Sequence, residues 1–175
     1  MQRFAFLGPA GTFTEDALIE ATSGEQFEAL RTATVPDAIL AVERGEAERA
    51  LVPFENSIEG SVRPTLDTLA FEAEGVAIVG EHDHSVRVHL VAREGVGIDE
   101  VEAVLSHPQP LGQCARFLRE ALPGVEQRAV SSTAAAVRMV SESERPWAAL
   151  GARSAARLYG CALLREGVED ESGNV

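Results

Sequence analysis

Along almost its whole length the chain repeats one local pattern: a short apolar run, a turn of glycine, proline or hydroxyl residues, then an amphipathic stretch. Apolar runs of roughly 4–8 residues bounded by turn formers read as buried strands, and apolar residues at steps of three and four read as helix faces. The runs predict strands at Phe4–Leu7, Arg49–Pro53, Val76–Val79, Arg87–Ala92, Val101–Ser106, Glu126–Val130, Trp147–Leu150 and Cys161–Leu164. The stretches between them predict helices at Thr12–Ala21, Pro36–Arg44, Pro64–Glu72, Gln109–Ala121, Thr133–Ser143 and Ala152–Leu158. In the helix from Gln109, the residues Leu111, Cys114, Ala115, Leu118 and Leu122 mark one buried face. Pro108 and Ser132 stand where helix-start residues belong. Strands alternating with helices imply an α/β fold built on parallel sheets.

The 175 residues make one large domain or two small lobes, enough to bury a core without disulfides. Hydrophobic residues at 45% and charged residues at 25% are those of a soluble globular protein. No apolar run approaches the ~18 residues that span a membrane. No basic then apolar leader opens the chain, so a cytoplasmic location and no membrane partner are expected. Cys114 and Cys161 lie in no paired motif and read as reduced, buried thiols.

All 15 basic residues are arginine. A Walker A loop, a pyridoxal phosphate Schiff base and any lysine nucleophile are thereby excluded. The net charge of −13 argues against nucleic acid as a partner. An anionic ligand would need a local cluster of donors that overrides this field, and helix N-termini can build one from backbone N–H groups.

Four segments carry candidate chemistry. In Phe4-Ala5-Phe6-Leu7-Gly8-Pro9-Ala10-Gly11-Thr12-Phe13-Thr14 a strand ends in a glycine turn and a helix begins with hydroxyls. That geometry suits a carboxylate, and it also suits a plain turn with Thr12 as cap. In Leu51-Val52-Pro53-Phe54-Glu55-Asn56-Ser57-Ile58-Glu59-Gly60-Ser61 an apolar strand runs into a titratable group and an amide side by side. Open α/β sheets place ligands at such carboxyl ends, whereas the bland alternative has Asn56 making a turn. In Ser106-His107-Pro108-Gln109-Pro110-Leu111-Gly112-Gln113-Cys114 another strand gives way to a helix, with Gln113 off the apolar stripe as a ligand contact or a solvated side chain. In Ser131-Ser132-Thr133-Ala134-Ala135-Ala136 the hydroxyls form an anion cradle or an ordinary N-cap. His82 and His84 share one strand face, but no third ligand at metal spacing accompanies them, and no metal is expected.

The long stretch from Val76 to Ala92 reads as a crossover between lobes, with a second near Ala162–Glu166. The polar, acidic tail from Gly167 to Val175 reads as a frayed end or the start of something cut off.

Taken in order, these four segments, with Ala149-Leu150-Gly151-Ala152 and Leu158-Tyr159-Gly160 near the end, resemble the prephenate dehydratase family over essentially the whole chain. The resemblance implies a two-lobed α/β fold like that of type II periplasmic binding proteins, with the site in the cleft. It sets lobe one at 1–78 plus 164–175 and lobe two at 79–163. Family catalytic positions fall on Glu55, Asn56 and Gln113, and substrate-binding positions on Thr12, Thr14, Ser57, Ser106, Ser132 and Thr133. The family pattern continues past Asn174-Val175 into Thr-Arg-Phe, whose threonine is held to be catalytic, and often into a phenylalanine-binding ACT domain. A chain cut before both is therefore expected.

By the same resemblance the substrate is prephenate, no cofactor is needed, and the protein forms a homo-oligomer, a dimer or tetramer. Losing carbon dioxide and hydroxide together makes the substrate ring aromatic. The enzyme's task is then to donate a hydrogen bond or proton to the departing hydroxyl, worth ~10²–10⁴-fold from a positioned acid. The threonine of that tripeptide would be the leading proton donor, while Asn56 and Gln113 would orient the substrate and bond that hydroxyl. Glu55 would orient those groups, or donate the proton itself from a dry pocket. An arogenate or cyclohexadienyl dehydratase is the nearest alternative reading. A non-catalytic two-lobed protein that binds a small anion is the alternative of another class.

Overall fold

The computed structural model describes residues 1–58 and 60–171. The chain divides into two compact units, Met1–Ser85 and, of the described residues, 86–171.

In the first unit, three parallel strands lie in the order β2-β1-β3, with β1 at Arg3–Leu7, β2 at Glu28–Thr32 and β3 at Arg49–Leu51. Phe4, Ala5 and Phe6 on β1 are buried, as a central strand covered on both faces requires. Helices α1 (Phe13–Ala21), α2 (Val35–Glu43) and α3 (Arg63–Phe71) follow the strands. Leu18 on α1 packs with Phe4 and Phe6, while Ala38 and Ala41 on α2 pack with Ala5. Thr12 and Thr34 cap α1 and α2 by accepting from the amides of Glu15 and Asp37. A short antiparallel pair, β4 (Glu55–Asn56) and β5 (Gly60–Ser61), follows β3.

In the second unit, five strands lie in the order β10-β6-β9-β7-β8. They are β6 (His89–Arg93), β7 (Ala103–Ser106), β8 (Glu126–Ala129), β9 (Trp147–Gly151) and β10 (Cys161–Arg165). β7 runs parallel to β8 and β9, and β6 runs antiparallel to β9 and β10. The expectation of parallel sheets therefore holds for the three-stranded sheet of the first unit, whereas the five-stranded sheet of the second is mixed. β6 is reached through the long crossover rather than from a strand–helix repeat, so nothing obliges it to run parallel. Helices α4 (Pro108–Gln113), α5 (Ala115–Ala121), α6 (Thr133–Glu142) and α7 (Arg153–Leu158) complete the unit. Val137 and Val140 on α6 pack against Leu105 and Ala149 in the core.

Three expectations need correction. Val76–Val79 forms no strand; Ile78 and Val79 are 66% and 79% exposed, so nothing buries an apolar face there. The lobe boundaries shift: 79–85 goes with the first unit, and 164–171 stays with the second. The cause is pairing, since β10 bonds along β6 and the Val168 N–H donates to the Val88 carbonyl at 2.9 Å. The tail through Asp170 is no frayed end, because it is bonded to β6 and α5; residues 172–175 of the expected lobe one lie outside the described residues.

Candidate functional site

In the first unit, two candidate segments leave the carboxyl ends of adjacent strands, since Phe6 of β1 sits opposite Leu51 of β3. After β1 the chain turns through a cis Gly8–Pro9 bond and Gly11, whose φ of 80° a side chain would resist. The turn is tied on itself. The Thr12 hydroxyl donates to the Leu7 carbonyl at 3.2 Å, and the Gly11 N–H donates to Glu15 at 2.6 Å. Arg31 on β2 holds the other oxygen of Glu15 at 2.6 Å. Thr12 is buried and committed to this cap, and Thr14 lies half-buried in the first turn of α1.

After β3, the buried Thr65 hydroxyl on α3 donates to the Pro53 carbonyl at 2.5 Å, and the Val62 N–H donates to the Phe54 carbonyl at 2.9 Å. These bonds fix the strand end that carries Glu55 and Asn56. Asn56 accepts from the Ile58 N–H through Oδ1 at 3.0 Å. The turn-making reading of Asn56 is thus realised, and it also fixes the amide's direction. Glu55 and Ser57 are exposed, while Glu59 of the same motif lies outside the described residues.

The second unit repeats the arrangement. Ser106 ends β7 and faces Ala129 at the end of β8, so the segments leading to Gln113 and to Ser132 leave adjacent parallel strands. Ser132 caps α6, accepting from the Ala135 N–H at 3.0 Å, and Thr133 is buried beside it. Ser106 is fully buried, and its hydroxyl donates to the Leu150 carbonyl at 2.8 Å. That bond fastens β7 to β9 and occupies the donor that a substrate contact would use.

Gln113 closes α4. Its Nε2 is buried and has no hydrogen-bond partner among the described residues. Buried amides are almost always bonded, so a buried donor left open in a carboxyl-end segment marks a place for a ligand acceptor. The candidate residues therefore group as Thr12, Thr14, Glu55, Asn56 and Ser57 on one unit, and Ser106, Gln113, Ser132 and Thr133 on the other.

Elsewhere, His84 Nδ1 and His82 Nε2 lie 2.8 and 3.4 Å from one oxygen of Glu20. The hydrogen bond with His84 holds that carboxyl below its usual range. Among the described residues no cluster of three or more His, Cys, Asp or Glu could hold a metal ion. Nor is any described helix long and apolar enough to cross a membrane. Sequence reasoning missed Glu169 and Asp170. The Glu169 side chain, 7% exposed, accepts from the Val88 N–H at 3.0 Å and pairs with Arg87 at 2.9 Å. Asp170 bonds α5 and Gln113. Nothing in a local pattern announces such partners, because each lies more than 50 positions away along the chain.

Two α/β units, each presenting helix-capping hydroxyls and an amide or carboxylate at parallel strand ends, define a protein of the two-lobed α/β class typified by type II periplasmic binding proteins. The family is narrower: a sequence model of the prephenate dehydratase family matches residues 4–175, and the chain belongs to that family. A prephenate dehydratase of Amycolatopsis methanolica is 42% identical over 82% of this chain and 46% of its own length. The crystal structure of prephenate dehydratase from Arthrobacter aurescens in complex with L-Phe superposes with a TM-score of 0.89 at 34% identity, covering 98% of this chain and 57% of that one. A structure described as GqqA, a novel type of quorum quenching acylase, superposes with a TM-score of 0.86 at 32% identity, over 99% of this chain and 62% of that one. The chain spans about half the length of the curated relatives it matches, from 46% to 56% of the first three.

Proposed function

We propose that the protein containing this chain is a prephenate dehydratase, which removes water and carbon dioxide from prephenate to give phenylpyruvate in phenylalanine biosynthesis. The observation that carries this reading is the open, buried amide of Gln113 at a carboxyl-end segment, in a chain matched by the family from residue 4 to 175. A neutral donor suits a leaving hydroxyl, since it can strengthen its bond as negative charge develops on the oxygen. Asn56, held in direction by its own turn, is the second amide. Glu55 is exposed, which favours an orienting role over that of a proton donor in a dry pocket. The capped starts of α1 in the first unit and of α6 in the second each offer N–H groups suited to a carboxylate. No metal or organic cofactor is called for. By the same family likeness the protein works in the cytoplasm as a homodimer or homotetramer.

The test is a turnover assay of the full-length protein on prephenate and on arogenate, following phenylpyruvate and phenylalanine, with release of an acyl group from an acylated amide as a third arm. Turnover of prephenate supports the reading. Preference for arogenate narrows it to the amino-bearing substrate, and turnover of the acyl amide alone overturns it.

A further inference from the structure

An unbroken α-helix from Pro108 to Ala121 would bond the Phe117 N–H to the Gln113 carbonyl, the ordinary pairing four residues apart. Both groups are instead taken by one residue from the distant tail. The Asp170 N–H donates to the Gln113 carbonyl at 2.8 Å, and Asp170 Oδ1 accepts from the Phe117 N–H at 3.0 Å. Its other oxygen accepts from the Arg116 N–H at 2.7 Å, and the Arg116 guanidinium closes back on the Asp170 carbonyl. Asp170 is thus inserted into the hydrogen-bond ladder as an extra link. Cys114, between the two helices, takes φ −111° and ψ 17°, and the ladder resumes with Leu118 N–H donating to Cys114 at 2.9 Å.

We propose that Asp170 is a positioning residue for Gln113. By splitting one helix into α4 and α5, it fixes the turn of α4 at which the Gln113 amide is buried with its donor open. Without the insert, the 113–117 bond can close and α4 and α5 can merge into the continuous helix that the apolar spacing from Leu111 to Leu122 favours. The merged helix gives Gln113 a different rotation about the axis. A carboxylate is required because two N–H groups are each bonded to a separate oxygen, whereas an asparagine offers one. The catalytic consequence rests on the dehydratase reading; the positioning itself does not.

The test uses the full-length protein with Asp170→Ala and Asp170→Asn. Asp170→Ala lowers kcat on prephenate about 10- to 100-fold with KM changed less than about threefold, as expected for a misplaced catalytic group. Asp170→Asn, keeping one acceptor, loses less. Adding Gln113→Ala to Asp170→Ala lowers kcat by no more than about twofold further, because both changes remove the same contribution. Independently of substrate, the Gln113 side-chain amide NMR signals shift in both variants, and amide exchange at Arg116 and Phe117 changes. Unmoved Gln113 signals, or effects of the two substitutions that multiply in full, overturn the proposal. A wild-type protein without turnover whose Gln113 signals still move with Asp170 overturns the dehydratase reading and leaves the positioning intact. If Asp170→Ala fails to fold, the same readouts on Asp170→Asn decide.

Discussion

The Ser106 hydroxyl donates to the Leu150 carbonyl at 2.8 Å from a site with no solvent exposure. The bond ties β7 to its neighbour β9 at the strand end from which the Gln113 segment departs. A buried hydroxyl so committed stabilises the fold by about 1 kcal/mol net. Ser106→Ala is expected to cost about 1–2 kcal/mol in a urea unfolding titration while KM for the substrate stays within about twofold. A large rise in KM with unchanged stability would return Ser106 to the substrate contacts that family resemblance suggested.

Gly151 ends β9 beneath α6. A β-carbon built there would lie 2.7 Å from Val137 Cγ2, inside a core where Val137 is fully buried. A methyl there requires the Val137 side chain, or the helix that carries it, to shift. Gly151→Ala should therefore destabilise the protein by about 1–3 kcal/mol, and a Val137→Ala change in the same molecule should recover part of that loss. Additive losses in the double variant would show that the clash is relieved in some other way.

Much of this arrangement is legible in the sequence. The predicted strands at Phe4–Leu7 and Trp147–Leu150 and the helices starting after Thr12 and Ser132 form where apolar runs and caps put them, because those signals are local. β2 was not legible. Its Glu28-Ala29-Leu30-Arg31-Thr32 is an edge strand with few apolar residues, held by register with β1 rather than by its own pattern. The break between α4 and α5 was not legible either. The spacing from Leu111 to Leu122 fits one helix, and the residue that divides it comes from the tail. The same holds for the site: Glu55, Asn56 and Gln113 stand out by motif, whereas the bonds that set their directions do not.

The proposed function draws on two amides, Asn56 in the first unit and Gln113 in the second. Asn56→Ala removes the acceptor of the Ile58 N–H as well as any ligand bond, so some disturbance of the turn accompanies it. Gln113→Ala removes only a side chain whose nitrogen has no described partner. Both should lower kcat on prephenate at least about tenfold. Gln113→Ala should leave the melting temperature unchanged or raise it, since a buried open donor is costly to the apo fold. Wild-type turnover in both variants would remove the amides from the mechanism.

Cys114 sits at the junction of α4 and α5 with no exposure. Burial, reinforced by the negative charges of Asp170 and Glu169, pushes its thiol pKa up to about 12. The thiolate is the reactive form, so Cys114 should resist iodoacetamide at pH 8 in the native protein and react fully once unfolded. Because the Asp170 charge helps to hold the thiol protonated, Asp170→Asn should raise the labelling rate. Fast native labelling of Cys114 in the wild type would mean that the junction opens readily.

His89 carries the pH dependence that is easiest to assign. It is buried at the start of β6, and its Nδ1 accepts the Gly167 N–H at 3.1 Å, which requires that nitrogen to be unprotonated. Burial is the main cause of a lowered pKa, and Arg153 and Arg87 lower it further against the opposing charges of Glu166 and Glu169. The sign follows from proton counting. Below the unfolded value of about 6.5 the unfolded chain binds a proton that the folded chain does not, so protonation pulls the equilibrium toward unfolding. Stability from this group is fully present above about pH 6.5 and falls as the pH drops toward the depressed folded pKa, by at most ~1.4 kcal/mol per pH unit for one proton. The carboxylates Glu20, Glu28, Glu46 and Glu126, all lowered by bonded partners, act in a separate window below the ordinary carboxylate value of 4.5. Urea midpoints measured between pH 5 and 7 should therefore slope downward toward acid in the wild type and flatten in His89→Gln, which keeps an acceptor for Gly167 without titrating. An equal slope in both proteins would assign the acid sensitivity to another group.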